Sequence, residues 1–152
     1  MCNCNCKAVG PLKIEVKYLN DQVPRLTKIQ QGDWIDLYVA EDTYLHKGET
    51  QIIPLGVAMK LPEGYEAVVV PRSSTFMKYR VLQANSFGVI DNSYCGDNDF
   101  WKFPAFPVED TVLLAGTRIC QFRIQKHQPE IEFNEVDHLD GKDRGGFGST
   151  GV

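Results

Sequence analysis

The stretch TQIIPLGVAMKLPEGYEAVVV (50–70) decides the fold class. Two runs rich in aliphatic and β-branched residues flank Pro62-Glu63-Gly64, and the second is a near-continuous β run. Proline presets a turn φ and glycine accepts a positive one, so the Pro-Glu-Gly step reads as a turn and the two runs (50–61 and 65–70) as a β-hairpin. The same grammar extends outward. LKIEVKYL (12–19) alternates apolar and charged residues over its first half, and WIDLYVA (34–40) is mostly apolar and β-branched or aromatic. Further strands are expected at 81–84, 87–90, 100–106, 111–114, 118–124 and 130–136, divided by Gly, Pro, Asn and Asp. One helical turn or two is expected at 74–79, STFMKY, with Ser73 as its N-cap. Many short strands predict an all-β sandwich or barrel.

A chain of 152 residues supports a single domain over 1–152, with 1–10 as a mobile N-terminal arm and 142–152 as a flexible C-terminal lid. No apolar run approaches a membrane span, and MCNCNCKAVG lacks the core of a signal peptide, so a cytoplasmic location is expected. The net charge of −4 argues against nucleic acid and membrane surfaces as partners. Cys2, Cys4 and Cys6 have no nearby His or fourth Cys to complete a zinc set and read as a reduced tail. Cys95 reads as a turn residue and Cys120 as a small strand hydrophobe.

Some short segments carry chemistry. Pro71-Arg72-Ser73-Ser74 places a guanidinium before a Ser-rich helix start, where free N–H groups attract an anion; a solvated Arg beside a capping Ser fits the same letters. KDRGGFGSTG (142–151) cannot build a core, yet its glycines let backbone donors approach a polyphosphate, with Arg144 and Phe147 adding a charged fork and a flat ring. Taken alone, Asp91 is also a good turn residue and Tyr94 a good core aromatic.

Read in order, these segments resemble the trimeric deoxyuridine triphosphatase (dUTPase) family from about Ile14 to Gly151. GDWIDL (32–37) is similar to its first motif in the Asp-Leu pair, PRSS (71–74) to its second, and NSFGVID (85–91) with Tyr94 and Gly96 to its third. GTRICQ (116–121) resembles the fourth and DRGGFGSTG (143–151) the fifth, while DNDFWKFPAF (97–106) looks like the bacterial and phage variant.

The resemblance implies a jelly-roll subunit of a homotrimer with interfacial sites. It also implies hydrolysis of dUTP to dUMP and pyrophosphate by attack of water on the α-phosphorus, with Asp91 as general base. Mg²⁺ would neutralise the triphosphate, with Asp36 helping through water or by orienting Arg72. Arg72, Ser73, Ser74 and Gln121 would meet the phosphates, Arg144 would clamp the γ-phosphate, and Arg118 ranks lower. Asn85, Gly88 and Ile90 would read the uracil, Tyr94 would pack under the deoxyribose, and Phe147 would cap the base. Two alternatives stay open: a dCTP deaminase-like enzyme, which would carry a Glu on the strand at 100–106 where this chain has none, and a phage-type protein that docks onto a regulator.

Overall fold

The computed structural model describes residues 10–146. Cys2, Cys4, Cys6 and Phe147 therefore lie outside the described residues. In chain order the elements are β1 (Glu15–Tyr18), β2 (Ile35–Tyr38), β3 (Thr43–Leu45), β4 (Gln51–Pro54), β5 (Val57–Lys60), β6 (Tyr65–Pro71), α1 (Thr75–Tyr79), β7 (Val81–Gln83), β8 (Gly88–Ile90), β9 (Lys102–Pro107), β10 (Thr111–Leu113) and β11 (Arg118–Lys126). All ladders are antiparallel, in the orders β1-β5, β10-β3, β2-β11-β6-β8 and β4-β9-β7. Together they make a jelly-roll sandwich whose inward side chains form one core. Among the described residues no helix is long and apolar enough to cross a membrane.

The core is centred on Trp101, Phe103, Phe122, Leu37, Ile53 and Ile119, all essentially sealed from solvent. Trp101 meets Phe122 edge to face at 5.2 Å between ring centroids, an arrangement favoured by the ring quadrupoles. Its backbone accepts from Leu55 N–H and donates to Val57 carbonyl, so it clamps both sides of the turn at Gly56.

That turn corrects the reading of 50–70. The run 50–61 is two strands, since Gly56 sits at φ +69° and redirects the chain between β4 and β5, which belong to different sheets. The predicted hairpin does not form either. β5 pairs with β1, whereas β6 pairs with β11 and β8, so Pro62-Glu63-Gly64 turns a corner between sheets. Turn chemistry is legible locally, but a hairpin turn and a corner use the same residues. Segment 130–136 is not a strand: beyond β11 the chain is irregular, and Ile131, Phe133 and Val136 are exposed with no ladder partner among the described residues. The short β3 has no counterpart among the expected strands. The other predicted strands appear with shifted ends: β1, β2, β7, β8 and β10 are shorter than expected, whereas β6, β9 and β11 run on past the expected C-terminal residue.

A Cβ on Gly56 would meet Val23 Cγ2 at 2.7 Å and Ala40 Cβ at 3.0 Å, in addition to the left-handed strain. Gly48, at φ +77°, has nothing within 4 Å of such a Cβ. Gly48→Ala should therefore cost only the conformational term of about 1–2 kcal/mol, and Gly56→Ala roughly 1–3 kcal/mol more for the overpacking. Urea unfolding of the two variants checks this; equal losses would remove the crowding account.

Candidate active site

Gln121 of β11 stands opposite Asp36 of β2 on one side and Val70 of β6 on the other, so three neighbouring strands bring the first, second and fourth motifs together. The β2–β11 register shifts between Arg118 and Cys120, a β-bulge that leaves Ile119 and Cys120 both buried. A bulge re-aims side chains and interrupts the ladder. Here the Ile119 carbonyl accepts from the Thr75 hydroxyl at 2.7 Å, and Arg118 reaches Asp36.

Thr75 is the residue that shapes the Pro71–Ser74 turn. It is buried, and its Oγ1 also accepts from the Arg72 backbone N–H at 3.0 Å. Ser73 is not the N-cap: Ser74 occupies that position and makes no side-chain cap bond. The hydroxyl one residue further on binds the bulge and the Arg72 N–H together, which leaves Ser73 exposed and Ser74 half-buried at the mouth of the turn. Only the Ser-Ser-Thr run hinted at this in the sequence.

The Asp36 carboxylate is shared. Its Oδ1 lies 2.7 Å from Arg72 Nε and its Oδ2 3.3 Å from Arg118 Nη1, with the Asp36 and Arg72 side chains each about three-quarters buried. Gln121 Nε2 donates to the Pro71 carbonyl at 3.4 Å. These groups line a cavity of about 300 Å³, walled also by Gly32 and Trp34. Held by one carboxylate, both arginines keep further N–H donors in a fixed fork suited to phosphate oxygens. Among the described residues no cluster of three or more His, Cys, Asp or Glu could cage a metal ion.

A second cavity, of about 370 Å³, is lined by Val89, Ile90, Asp91, Ser93, Tyr94 and Lys102. Ile90 and Tyr94 pack against the core, and Tyr94 Oη donates to the Phe100 carbonyl at 3.3 Å. Asp91 is fully exposed. Hydrogen bonds from the Ser93 hydroxyl and from the Ser93 backbone N–H, the latter at 2.6 Å, hold its carboxyl below the ordinary aspartate value, with a smaller contribution from His127. Asn85 is exposed in the β7–β8 turn, followed by Ser86 at φ 59°. A Cβ on Gly88 would meet Val69 Cβ at 3.2 Å, so the closeness that glycine permits there is to β6 behind it.

The two cavities stand at opposite ends of β6. Ala67 pairs with Ile90, which sets Asp91 beside Glu66, whereas Arg72 follows Pro71 at the other end. Six residues of strand at ~3.3 Å each separate them by roughly 20 Å. Arg144 lies in the irregular exposed segment and lines neither cavity. Each patch is therefore local to one end of the strand.

A dUTPase family model matches residues 26–151. The chain is 58% identical over 141 residues to the SPbeta prophage-derived deoxyuridine 5'-triphosphate nucleotidohydrolase YosS of Bacillus subtilis (strain 168), covering 93% of this chain and 99% of that one. The deoxyuridine 5'-triphosphate nucleotidohydrolase of Finegoldia magna is 37% identical over 137 residues, covering 87% and 93%. Among solved structures, Staphylococcus bacteriophage 80alpha dUTPase with dUPNHPP superposes with a TM-score of 0.74 at 22% identity over 92% of this chain and 99% of that one. A mutant dUTPase from phage phi11 of S. aureus, described with a structural Mg(II) ion, gives 0.73 at 17% identity over 85% and 99%. With its first four motifs at the two ends of one strand of a matching sandwich, and the family model and the prophage relative spanning most of its length, this chain belongs to the dUTPase family, in its phage and bacterial form.

Proposed function

We propose that the chain is a dUTP diphosphatase that hydrolyses dUTP to dUMP and pyrophosphate. The observation that carries the reading is Asp91: an exposed carboxylate whose pKa Ser93 holds below the ordinary aspartate value, on the rim of a cavity walled by Ile90 and Tyr94. Ionised at neutral pH, it accepts a hydrogen bond from water and takes the proton as the water oxygen bonds to the α-phosphorus. The bond from that phosphorus to the bridging oxygen breaks in line, and pyrophosphate leaves. Arg72, Gln121, Ser73 and Ser74 hold phosphate oxygens, and Asp36 keeps the Arg72 fork in place. Asn85 and the strand edge at Gly88 and Ile90 read the uracil. Tyr94 packs beneath the deoxyribose, Phe147 covers the base and Arg144 binds the γ-phosphate.

Asp36 and Asp33 are the carboxylates lining the phosphate cavity; with its oxygens shared by two arginines, Asp36 would act on Mg²⁺ through water, the triphosphate supplying the ion's direct ligands. When bound, the ion supplies charge neutralisation on the polyphosphate. Pyrophosphate release from dUTP, dCTP, dTTP and UTP, with and without Mg²⁺, tests the assignment: dUTP should be strongly preferred, and comparable rates on all four would overturn it.

The roughly 20 Å between Asp91 and Arg72 supports a site completed by a second chain, in a closed homotrimer. The irregular segment with Ile131, Phe133, Val136 and Leu139 exposed is apolar surface that a neighbouring subunit would cover. Asp91→Asn and Arg72→Ala chains, each inactive alone, should regain about a quarter of wild-type activity when unfolded and reassembled in equal amounts. No recovery in confirmed mixed trimers would mean that both residues serve a site from one chain.

The depressed Asp91 pKa has a definite sign. The base is charged above its folded pKa and is lost as pH falls through it, so Ser93→Ala, which removes the larger hydrogen bond, should move the titration upward. Carboxyl-carbon NMR of Asp91 reads this directly; an unmoved titration would dismiss the Ser93 contact. Phe147→Ala should lower kcat/KM for dUTP by about 1–3 kcal/mol in transition-state terms, the size of one base stack. Steady-state kinetics check it, and an unchanged kcat/KM would deny the ring a place on the base.

A further inference from the structure

Gln83 is a polar residue in an apolar position. It closes β7, whose side chains alternate inward, outward and inward, and it is only 7% exposed, in a slot equivalent to that of Val81. A buried amide is costly unless it is bonded, so its partners define what it does there. Gln83 Nε2 donates to the Val69 carbonyl at 3.2 Å and to Asn85 Oδ1 at 2.9 Å, while Oε1 is buried with no partner among the described residues. The amide orientation follows from these neighbours. Exchanging Oε1 and Nε2 would press a carbonyl oxygen against two other oxygens and forfeit both bonds.

We propose that Gln83 is a positioning residue that fixes the polarity of the Asn85 amide and thereby selects uracil against cytosine. This rests on the reading of the 85–91 strand edge as the base site. An exposed asparagine can turn its amide over at little cost, presenting either a donor or an acceptor. Such a residue accommodates the 4-carbonyl of uracil and the 4-amine of cytosine alike. With Oδ1 held by Gln83, which is anchored to β6 through Val69, Asn85 presents its Nδ2 hydrogens outward. A 4-carbonyl accepts from them; a 4-amine meets donor with donor and leaves buried groups unpaired.

Steady-state pyrophosphate release from dUTP and dCTP, measured for the full chain, for Gln83→Met, for Asn85→Ala and for the double variant, tests this. Methionine keeps the length and fills the slot without a donor. Gln83→Met should lower the ratio of kcat/KM for dUTP over dCTP by about tenfold, the scale of one misdirected hydrogen bond, through KM more than kcat. In the Asn85→Ala background the same substitution should leave the ratio unchanged, because Gln83 acts through Asn85. An unchanged ratio in Gln83→Met, or an equal fall in both backgrounds, would overturn the proposal and leave Gln83 a packing residue. A wild-type chain without preference for dUTP would overturn the base-site reading itself. Should the Met variant fail to fold, side-chain amide exchange by NMR on the nucleotide-free wild type decides: protected Gln83 Nε2 hydrogens beside fast Asn85 Nδ2 hydrogens support the proposal, and the reverse overturns it.

Discussion

The β-bulge at Ile119 governs the arginine-rich end of this molecule, where the proposed function puts the phosphates. β11 lies between β2 and β6, and a uniform ladder would keep Arg118 in step with Val39. The extra residue moves Arg118 opposite Tyr38 and turns two consecutive side chains inward, while the Ile119 carbonyl is free to accept from Thr75. Because Thr75 also binds the Arg72 N–H, one irregularity in the longest strand shapes the turn after β6. The Asp36 carboxylate then collects both guanidinium groups. A polyanion site needs cations whose directions are set before the ligand arrives, and here a hydroxyl, a carbonyl and a carboxylate set them.

The base end is built on different physics. Asp91 and Lys102 are the charged residues that line it, and part of its wall rests on the core: Ile90 and Tyr94 pack inward, and Gly88 lies so close to Val69 that a methyl group would crowd it. Rigidity there comes from packing and from the buried Gln83 amide. β6 serves both ends, giving its C-terminal end to Arg72 and its flank to β8, and its length keeps the ends apart. On the proposed reading, a division of this kind would make assembly part of catalysis, since Asp91 and Arg72 would come within reach of one substrate only when chains associate. Exposed apolar residues after β11 fit the same logic.

Burial also separates the two described cysteines. Cys95 is exposed in a turn, whereas Cys120 is sealed in β11, where burial pushes its thiol pKa far up and leaves it an inert hydrophobe. Both match what their sequence surroundings implied.

How much was legible depended on the range of the interaction. Local preferences made the all-β class readable: β-branched runs, Pro and Gly punctuation and the short helix after Arg72 all act within a few residues. The chemistry-bearing types were readable for the same reason, because Asp36, Arg72, Asp91 and Gln121 sit in short motifs with recognisable neighbours. Pairing was not. Whether Pro62-Glu63-Gly64 closes a hairpin or turns a corner depends on β1 and β11, which are remote in sequence, and register is set by burial across strands. The roles of Thr75 and Gln83 were hidden because a hydroxyl or an amide acquires meaning only from the carbonyl placed opposite it. Residue order and local chemistry were enough to specify a β sandwich bearing the dUTPase motifs. That the first four of those motifs meet at two ends of one strand emerged only on folding, since distance along the chain carries no measure of distance across a sheet.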